Sequence, residues 1–168
     1  MIAVVGKVCS GKTTFLKKLE QEGKKVFIAD EFVKSLYENK DFCQKIQKLI
    51  NFDLLTKNKL DKFKIKKLFS ENKDLFEEFE KQVHLEVFKY LSENKFDFAE
   101  IPALNSKHAN FCSLISKIYV HKVDENTRIK FCKKRNVDSE ALKILDALNS
   151  YNWTDLKNYN GILVVDKL

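Results

Sequence analysis

Eight residues near the start of the chain have the types and spacing needed to bind phosphate. The segment from Gly6 to Thr13 fits the pattern of Gly, four variable residues, Gly, Lys and then Ser or Thr. In such a loop the backbone N–H groups turn inward around phosphate oxygens. Glycine is needed where the chain passes close to them or takes a positive φ. The pattern therefore predicts a phosphate-binding loop over 6–13.

The end of this loop predicts how ATP would be held. Lys12 should reach the β- and γ-phosphates, and the hydroxyl of Thr13 should bind Mg²⁺. The helix expected after the loop would direct its positive dipole end at the same oxygens. The predicted metal ligand is Thr13, and the predicted nucleotide contacts are Gly6, Lys7, Val8, Cys9, Ser10, Gly11, Lys12, Thr13 and Thr14.

Asp30 is the next candidate for a chemical role. It closes the apolar run 26–29, which predicts a second strand, at the carboxyl edge where α/β sheets bind ligands. A carboxylate there can accept the proton of a hydroxyl group or hold metal-bound water. Asp is also a favoured N-cap, and the two roles are compatible.

The elements that must position these residues follow from the hydrophobic pattern. The β-branched run Ile2 to Val5, which ends at Gly6, is typical of a strand buried in a parallel sheet. Because strands alternate with helices, the pattern predicts a parallel sheet with helices on both faces. Further strands are expected at Val26–Ala29, Phe96–Ile101, Ile118–Val120 and Ile162–Val165, and further helices at 14–22, 127–134 and 139–148.

The middle of the chain is expected to be helical. Between Asp41 and Asn94 apolar residues recur at helical spacing and no strand is predicted. We therefore predict a single domain over 1–168 that carries a helical insertion over about 34–94.

Composition favours a folded protein that binds anions. The chain has 44% hydrophobic and 33% charged residues, and 31 basic against 24 acidic residues leave a net charge of +7. This charge favours anionic partners without identifying them. Four widely spaced cysteines suit a reducing cytoplasm, although the loop N–H groups could make Cys9 reactive. No uncharged apolar run approaches the roughly 18 residues that a membrane span requires, so no membrane association is expected.

A phosphate loop alone is compatible with kinases, GTPases and ATPase motors. A GTPase would need a guanine-reading Asn-Lys-x-Asp after a late strand, and residues 119–124 contain none. Motors are typically larger than this chain. The remaining hypotheses are a kinase acting on a small anionic acceptor and a non-catalytic protein that binds nucleotides or nucleic acid.

Several segments resemble the dephospho-CoA kinase family. Val4-Val5-Gly6 with Ser10 to Thr13, followed by Ile28 to Glu31, is similar to the family's glycine-rich loop and acidic strand end. Lys7 and Cys9 stand where the family usually has glycine. Further similar segments follow in the family's order: Leu60-Asp61-Lys62, Leu68-Phe69, His84, Glu100 to Leu104, Lys130 to Arg135, and Ser139 to Ala141.

The resemblance implies a three-layer α/β/α P-loop kinase with a five-stranded parallel sheet, a helical acceptor-binding insertion and a short lid over about 125–140. It implies transfer of the γ-phosphoryl group of ATP to the ribose 3′-hydroxyl of dephospho-CoA, the last step of coenzyme A synthesis. The enzyme is expected to be a monomer with no nucleic-acid partner. A kinase of a nucleoside or nucleotide remains the alternative. The implied catalytic residues are Lys12, Asp30 and Arg135, and the implied substrate contacts are Asp30, Lys62, His84 and Pro102.

Overall fold

The computed structural model describes residues 1–101, 104–138, 142–143, 153 and 157–168. They form two compact units. The sheet unit contains Met1–Ile28, Lys95–Leu104 and Cys112–Leu168, and the helical unit contains Ala29–Asn94 and Asn105–Phe111.

The described elements alternate between strand and helix at the start of the chain, as the sequence predicts. The strands are β1 Ile2–Val5, β2 Val26–Ile28, β3 Leu55–Thr56, β4 Lys59–Leu60, β5 Phe98–Glu100, β6 Lys117–Val120, β7 Asn158–Tyr159 and β8 Ile162–Val165. The helices are α1 Lys12–Gln21, α2 Ala29–Leu36, α3 Lys40–Leu49, α4 Lys62–Glu71, α5 Lys73–Glu93 and α6 Glu125–Lys134.

The sheet unit is built on a six-stranded sheet in the order β2-β5-β1-β6-β8-β7. The first five of these strands pair in parallel, so the predicted parallel α/β sheet is confirmed. Val4 of β1, Leu16 of α1 and Ile28 of β2 are buried together in the core. Since this core joins β1 to α1, it fixes both ends of the loop between them.

The five parallel strands match the predicted number, and the described sheet has one further strand that was not predicted. The short strand β7 pairs antiparallel with β8 and adds a sixth strand at the edge. Asn160 and Gly161 connect the two strands with φ values of 49° and 82°. An Asn-Gly pair supports such a tight turn because both residues tolerate the left-handed region. The hairpin signal is thus present in the sequence, next to a strand too short to show a pattern.

The second strand ends one residue earlier than predicted. β2 stops at Ile28, and Ala29 already belongs to α2. Asp30 therefore does not close the strand but lies in the first turn of α2. A carboxylate is favourable there because it interacts with the positive end of the helix dipole. The strand predicted over Phe96–Ile101 is likewise shorter, since β5 covers only Phe98–Glu100.

The helical unit contains α2, α3, α4 and α5, as expected for the insertion, but the prediction of no strand between Asp41 and Asn94 was wrong. β3 and β4 form an antiparallel hairpin. Its two turn residues, Lys57 and Asn58, have φ values of 51° and 61°. Strands of two residues carry no readable alternation, so the hydrophobic pattern did not reveal them.

The predicted lid is described only in part. The helix expected over 127–134 is present as α6, which starts two residues earlier at Glu125. Pro102 and, except for residues 142 and 143, the helix expected over 139–148 lie outside the described residues. Among the residues described, no helix has the length and apolar character needed to cross a membrane.

Candidate active site

The loop between β1 and α1 requires glycine at Gly6. Gly6 has a φ of 151°, and a Cβ added there would lie 2.5 Å from the backbone oxygen of His121. That oxygen belongs to a backbone held by the hydrogen bond from the His121 N–H to the oxygen of Val5, so it has little freedom to move. Gly6 therefore allows the start of the loop to pass directly against the segment that follows β6.

The ammonium group of Lys12 lies across the loop. Nζ donates to the backbone oxygens of Gly6 and Lys7, each at 3.1 Å. It also lies 3.7 Å from Oε1 of Glu100. The cation is therefore held over the inner side of the loop, where the sequence motif places a group for phosphate oxygens.

Glu100 joins the two residues that begin α1. The hydroxyl of Thr13 donates to Oε2 of Glu100 at 3.3 Å, while Oε1 faces Lys12. Glu100 is the last residue of β5, and β5 pairs with β1, so neighbouring strands bring the carboxylate to the loop. A hydroxyl and a carboxylate are oxygen ligands of the kind that Mg²⁺ prefers. The residues present therefore fit a magnesium ion at Thr13.

Glu100 was not predicted to have a chemical role. The available signal was an acidic residue directly after the apolar pair Phe98-Ala99, in a predicted strand. That signal has little specificity without the strand order, because only a strand beside β1 delivers its last residue to the loop.

The loop also contains a buried hydroxyl that lacks a protein partner. The Ser10 side chain is 2% exposed, and its Oγ forms no hydrogen bond within the described part of the chain. A buried hydroxyl without a partner costs about 1 to 3 kcal/mol. A bound phosphate oxygen would supply such a partner, which is a second feature that fits a nucleotide here.

His121 is a further residue at the loop that sequence reasoning did not identify. Its ring stacks on Phe15 with centroids 4.8 Å apart. Its Nε2 lies 3.9 Å from the position that a Cβ atom would occupy if Gly11 carried a side chain. Burial and the nearby Lys12 cation lower the pKa of His121 below its usual value. Both effects favour the neutral imidazole.

The helix α6 contacts the loop through Arg128. The guanidinium Nε donates to the backbone oxygen of Val8 at 2.9 Å, and Nη1 pairs with Oε1 of Glu125 at 3.2 Å. Arg128 is 3% exposed. Arg135, the cation predicted for catalysis, is instead the exposed C-cap of α6. Its catalytic role stays a prediction.

Three predicted acceptor residues, Asp30, Lys62 and His84, belong to the helical unit. Asp30 is exposed in the first turn of α2. Burial of Tyr37 raises the pKa of its hydroxyl, and the nearby charge of Asp30 raises it further. Lys62 is the exposed first residue of α4, after the N-cap Asp61. The sheet unit holds the loop residues, Lys12, Thr13 and Glu100 together, whereas the roles of Asp30 and Lys62 remain predictions.

His84 is hydrogen-bonded within the helical unit. Its Nδ1 lies 2.8 Å from Oγ of Ser106, which accepts the backbone N–H of His108 at 3.0 Å. Burial is the main cause that lowers the pKa of His84. A neutral imidazole that accepts the Ser106 hydroxyl at Nδ1 carries its proton on Nε2, which makes Nε2 a hydrogen-bond donor.

The chain is similar to known proteins in both sequence and fold. No family model matches the chain. It is 29% identical to a dephospho-CoA kinase of Fusobacterium nucleatum over 178 residues, which cover 93% of this chain and 92% of the relative. It is 33% identical to a dephospho-CoA kinase of Rickettsia conorii over 129 residues, which cover 70% of this chain and 64% of the relative.

Two solved structures share the fold. A Thermus thermophilus protein, TT1252, has a TM-score of 0.66 at 19% identity, with 88% of this chain and 78% of that chain covered. A dephospho-CoA kinase from Campylobacter jejuni has a TM-score of 0.59 at 22% identity, with 99% of this chain and 88% of that chain covered.

A parallel sheet with this loop between β1 and α1, and with Lys12 and Thr13 at the start of α1, defines a protein with the P-loop kinase fold. The sequence relatives narrow that class. Both relatives are dephospho-CoA kinases, so the chain is similar in sequence to proteins of that name over most of its length.

Proposed function

We propose that this protein is a dephospho-CoA kinase, which transfers the γ-phosphoryl group of ATP to the ribose 3′-hydroxyl of dephospho-CoA. The observation that carries the proposal is the phosphate loop with Lys12 and Thr13 both in contact with Glu100. The two dephospho-CoA kinase relatives support the choice of acceptor. The reaction completes the synthesis of coenzyme A.

The sheet unit supplies the donor site. Backbone N–H groups of the loop and the ammonium of Lys12 would bind the phosphates of ATP, because both concentrate positive charge on the inner side of the loop. Thr13 and Glu100 are the residues that would hold Mg²⁺, which when bound neutralises charge on the phosphate oxygens. In the absence of a nucleotide, the hydrogen bonds from Lys12 Nζ to the backbone oxygens of Gly6 and Lys7 already hold the ammonium group at the loop, which supports this role.

The acceptor would be positioned by residues that the resemblance suggests. Asp30 would orient the 3′-hydroxyl and accept its proton, a role that its exposed carboxylate permits. Lys62 and His84 would contact dephospho-CoA, whose pyrophosphate suits a cation and a neutral N–H donor. Pro102 would shape the acceptor pocket, and Arg135 would stabilise charge on the transferred group.

Compartment and partners follow from the same proposal. The substrate is a small molecule, and we propose no nucleic-acid partner. The four free cysteines, Cys9, Cys43, Cys112 and Cys132, suit the reducing conditions of a cytoplasm.

A panel of acceptors tests this proposal. ADP release would be measured with ATP and Mg²⁺ in the presence of dephospho-CoA, nucleosides or nucleoside monophosphates, with the Lys12→Ala variant as the control. We expect turnover that depends on dephospho-CoA and is lost in the variant. Turnover with a nucleoside or nucleotide alone would establish the alternative kinase. ATP binding without turnover, together with salt-sensitive binding to RNA or DNA, would contradict both.

A further inference from the structure

Arg128 is a buried charge whose contacts lie at the phosphate loop. Its side chain is 3% exposed, so its guanidinium has lost nearly all contact with water. A buried cation is unfavourable unless it is paired and hydrogen-bonded. Arg128 has both kinds of partner, since it pairs with Glu125 and donates Nε to the backbone oxygen of Val8. Glu125 lies on the same helix, whereas the contact with Val8 reaches the phosphate loop.

The contact with Val8 determines the direction of a loop N–H group. The peptide between Val8 and Cys9 is planar and trans, so its oxygen and its N–H point in opposite directions. The oxygen of Val8 is held by Arg128 of α6 at 2.9 Å. The N–H of Cys9 consequently points away from the guanidinium. In a phosphate-binding loop, N–H groups act by pointing at the phosphate oxygens.

The same peptide leads into a backbone conformation that is unfavourable for its residue. Cys9 has a φ of 61°, in the left-handed region that residues with a Cβ rarely adopt. Glycine would adopt it without strain, but Cys9 carries a side chain that is 4% exposed. The loop therefore adopts a conformation that its own residue types do not favour, and contacts from outside the loop must stabilise it.

A second side chain of α6 packs on the loop. The Cε2 atom of Phe131 lies 3.1 Å from the Cβ position of Gly11, the residue just before α1. Arg128 and Phe131 are three residues apart and so lie on one face of the helix. The loop is therefore supported at two points by a single helix.

We propose that Arg128 is a positioning residue for the donor site, which holds the Val8 oxygen so that the N–H of Cys9 faces the bound phosphates. This inference rests on the proposed function, since it takes ATP as the ligand of the loop. It assigns to α6 a role in shaping the phosphate loop through Arg128, separate from the role expected of Arg135.

Two substitutions of Arg128 test the contact. ATP affinity would be measured by calorimetry for wild type, Arg128→Gln and Arg128→Lys, with Lys130→Gln as the matched control because Lys130 is an exposed cation of the same helix. We expect Arg128→Gln to weaken ATP binding by about tenfold or more, the usual effect of losing a hydrogen bond from a charged group. Arg128→Lys should recover part of this loss, and Lys130→Gln should match wild type. The KM for dephospho-CoA should stay unchanged, which a general loss of structure would not allow.

A second measurement uses the strain at Cys9. In a Cys9→Gly background the loop reaches its left-handed turn without strain, so the support from Arg128 should matter less. We expect the loss of ATP affinity caused by Arg128→Gln to shrink by at least about threefold in that background. If circular dichroism shows that Arg128→Gln does not fold, Arg128→Lys is compared in the two backgrounds instead.

The outcomes separate this inference from the proposed function. Wild-type protein that binds no ATP would overturn both. Wild-type protein that binds ATP would leave the function standing. In that case an unchanged affinity in the Arg128 variants, or an equal loss in both Cys9 backgrounds, would overturn the positioning role alone.

Discussion

Glu100 contacts both side chains that begin α1, at 3.3 Å from Thr13 Oγ1 and 3.7 Å from Lys12 Nζ. Its carboxylate is the acidic group that the donor site requires if a divalent cation is to be held beside the phosphates. At the residue scale, three side chains from two elements therefore meet at the proposed magnesium site. Two of them were predicted from the loop motif, and the third required the strand order.

The first prediction concerns Glu100→Gln. The amide keeps the size of the side chain and removes its charge, so we expect kcat to fall by about tenfold or more and the Mg²⁺ requirement to rise. Magnesium titrations of the initial rate would measure both. Glu22→Gln is the control, because Glu22 is a solvent-exposed carboxylate of the same unit. An unchanged magnesium dependence would contradict the assignment.

The second prediction concerns Asp30→Asn, which keeps the shape of the side chain but cannot accept a proton. We expect turnover to fall by about a hundredfold while ATP affinity stays near that of wild type, since general-base catalysis contributes factors of this size. Steady-state rates and calorimetry provide the two readouts. The neighbouring carboxylate provides the control, as Glu31→Gln should retain most activity. Near-normal turnover in Asp30→Asn would refute its role as the base.

At the element scale, the geometry of the loop depends on close packing between β1, α1 and the segment after β6. Gly6 shows this most clearly, because the oxygen of His121 occupies the space where a side chain would begin. The loop motif predicts a glycine at this position because the backbone must pass close to the phosphate oxygens. The structure adds a second requirement, the contact with a backbone segment from more than 100 residues later in the chain.

The third prediction is therefore a comparison of two glycines with positive φ. Gly6→Ala should abolish ATP binding and lower the melting temperature, because the new Cβ would lie 2.5 Å from a backbone oxygen. Gly23→Ala carries only the conformational cost, since no atom lies within 4 Å of its Cβ position. Thermal unfolding and calorimetry would measure the difference. Equal effects of the two variants would show that the contact with His121 is unimportant.

The elements that sequence patterns predicted are those with long, buried apolar runs. β1 and β8 were predicted with their observed bounds because each is a continuous run of aliphatic residues. The hairpin β3-β4 and the edge strand β7 were missed because two residues cannot show a period. The role of Arg128 was also beyond sequence reasoning. A single arginine in a lysine-rich helix gives no sign that its side chain is buried against a loop 120 residues earlier.

At the scale of the whole molecule, two histidines connect stability to pH. Burial lowers the pKa of His84 and of His121 below the usual value of 6.5. In the window below about 6.5 the unfolded chain therefore binds more protons than the folded protein. Each histidine consequently destabilises the fold as the pH decreases through this window.

The fourth prediction is that the free energy of unfolding falls as the pH is lowered from 7 through this window, and that the share due to the two histidines is complete below their folded-state pKa values. Urea unfolding at a series of pH values would measure it. A variant with both His84→Gln and His121→Gln should show a shallower slope. A slope that the double substitution leaves unchanged would mean that other groups cause the pH dependence.

The fate of the γ-phosphoryl group distinguishes phosphorylation of dephospho-CoA from every other use of ATP. ATP labelled with ³²P in the γ-position would be incubated with Mg²⁺, dephospho-CoA and the protein, and the labelled products would be separated. We predict that the label appears in coenzyme A, at the ribose 3′-position, and that Lys12→Ala forms none. Label found only in inorganic phosphate or in another acceptor, with coenzyme A unlabelled, would contradict the account.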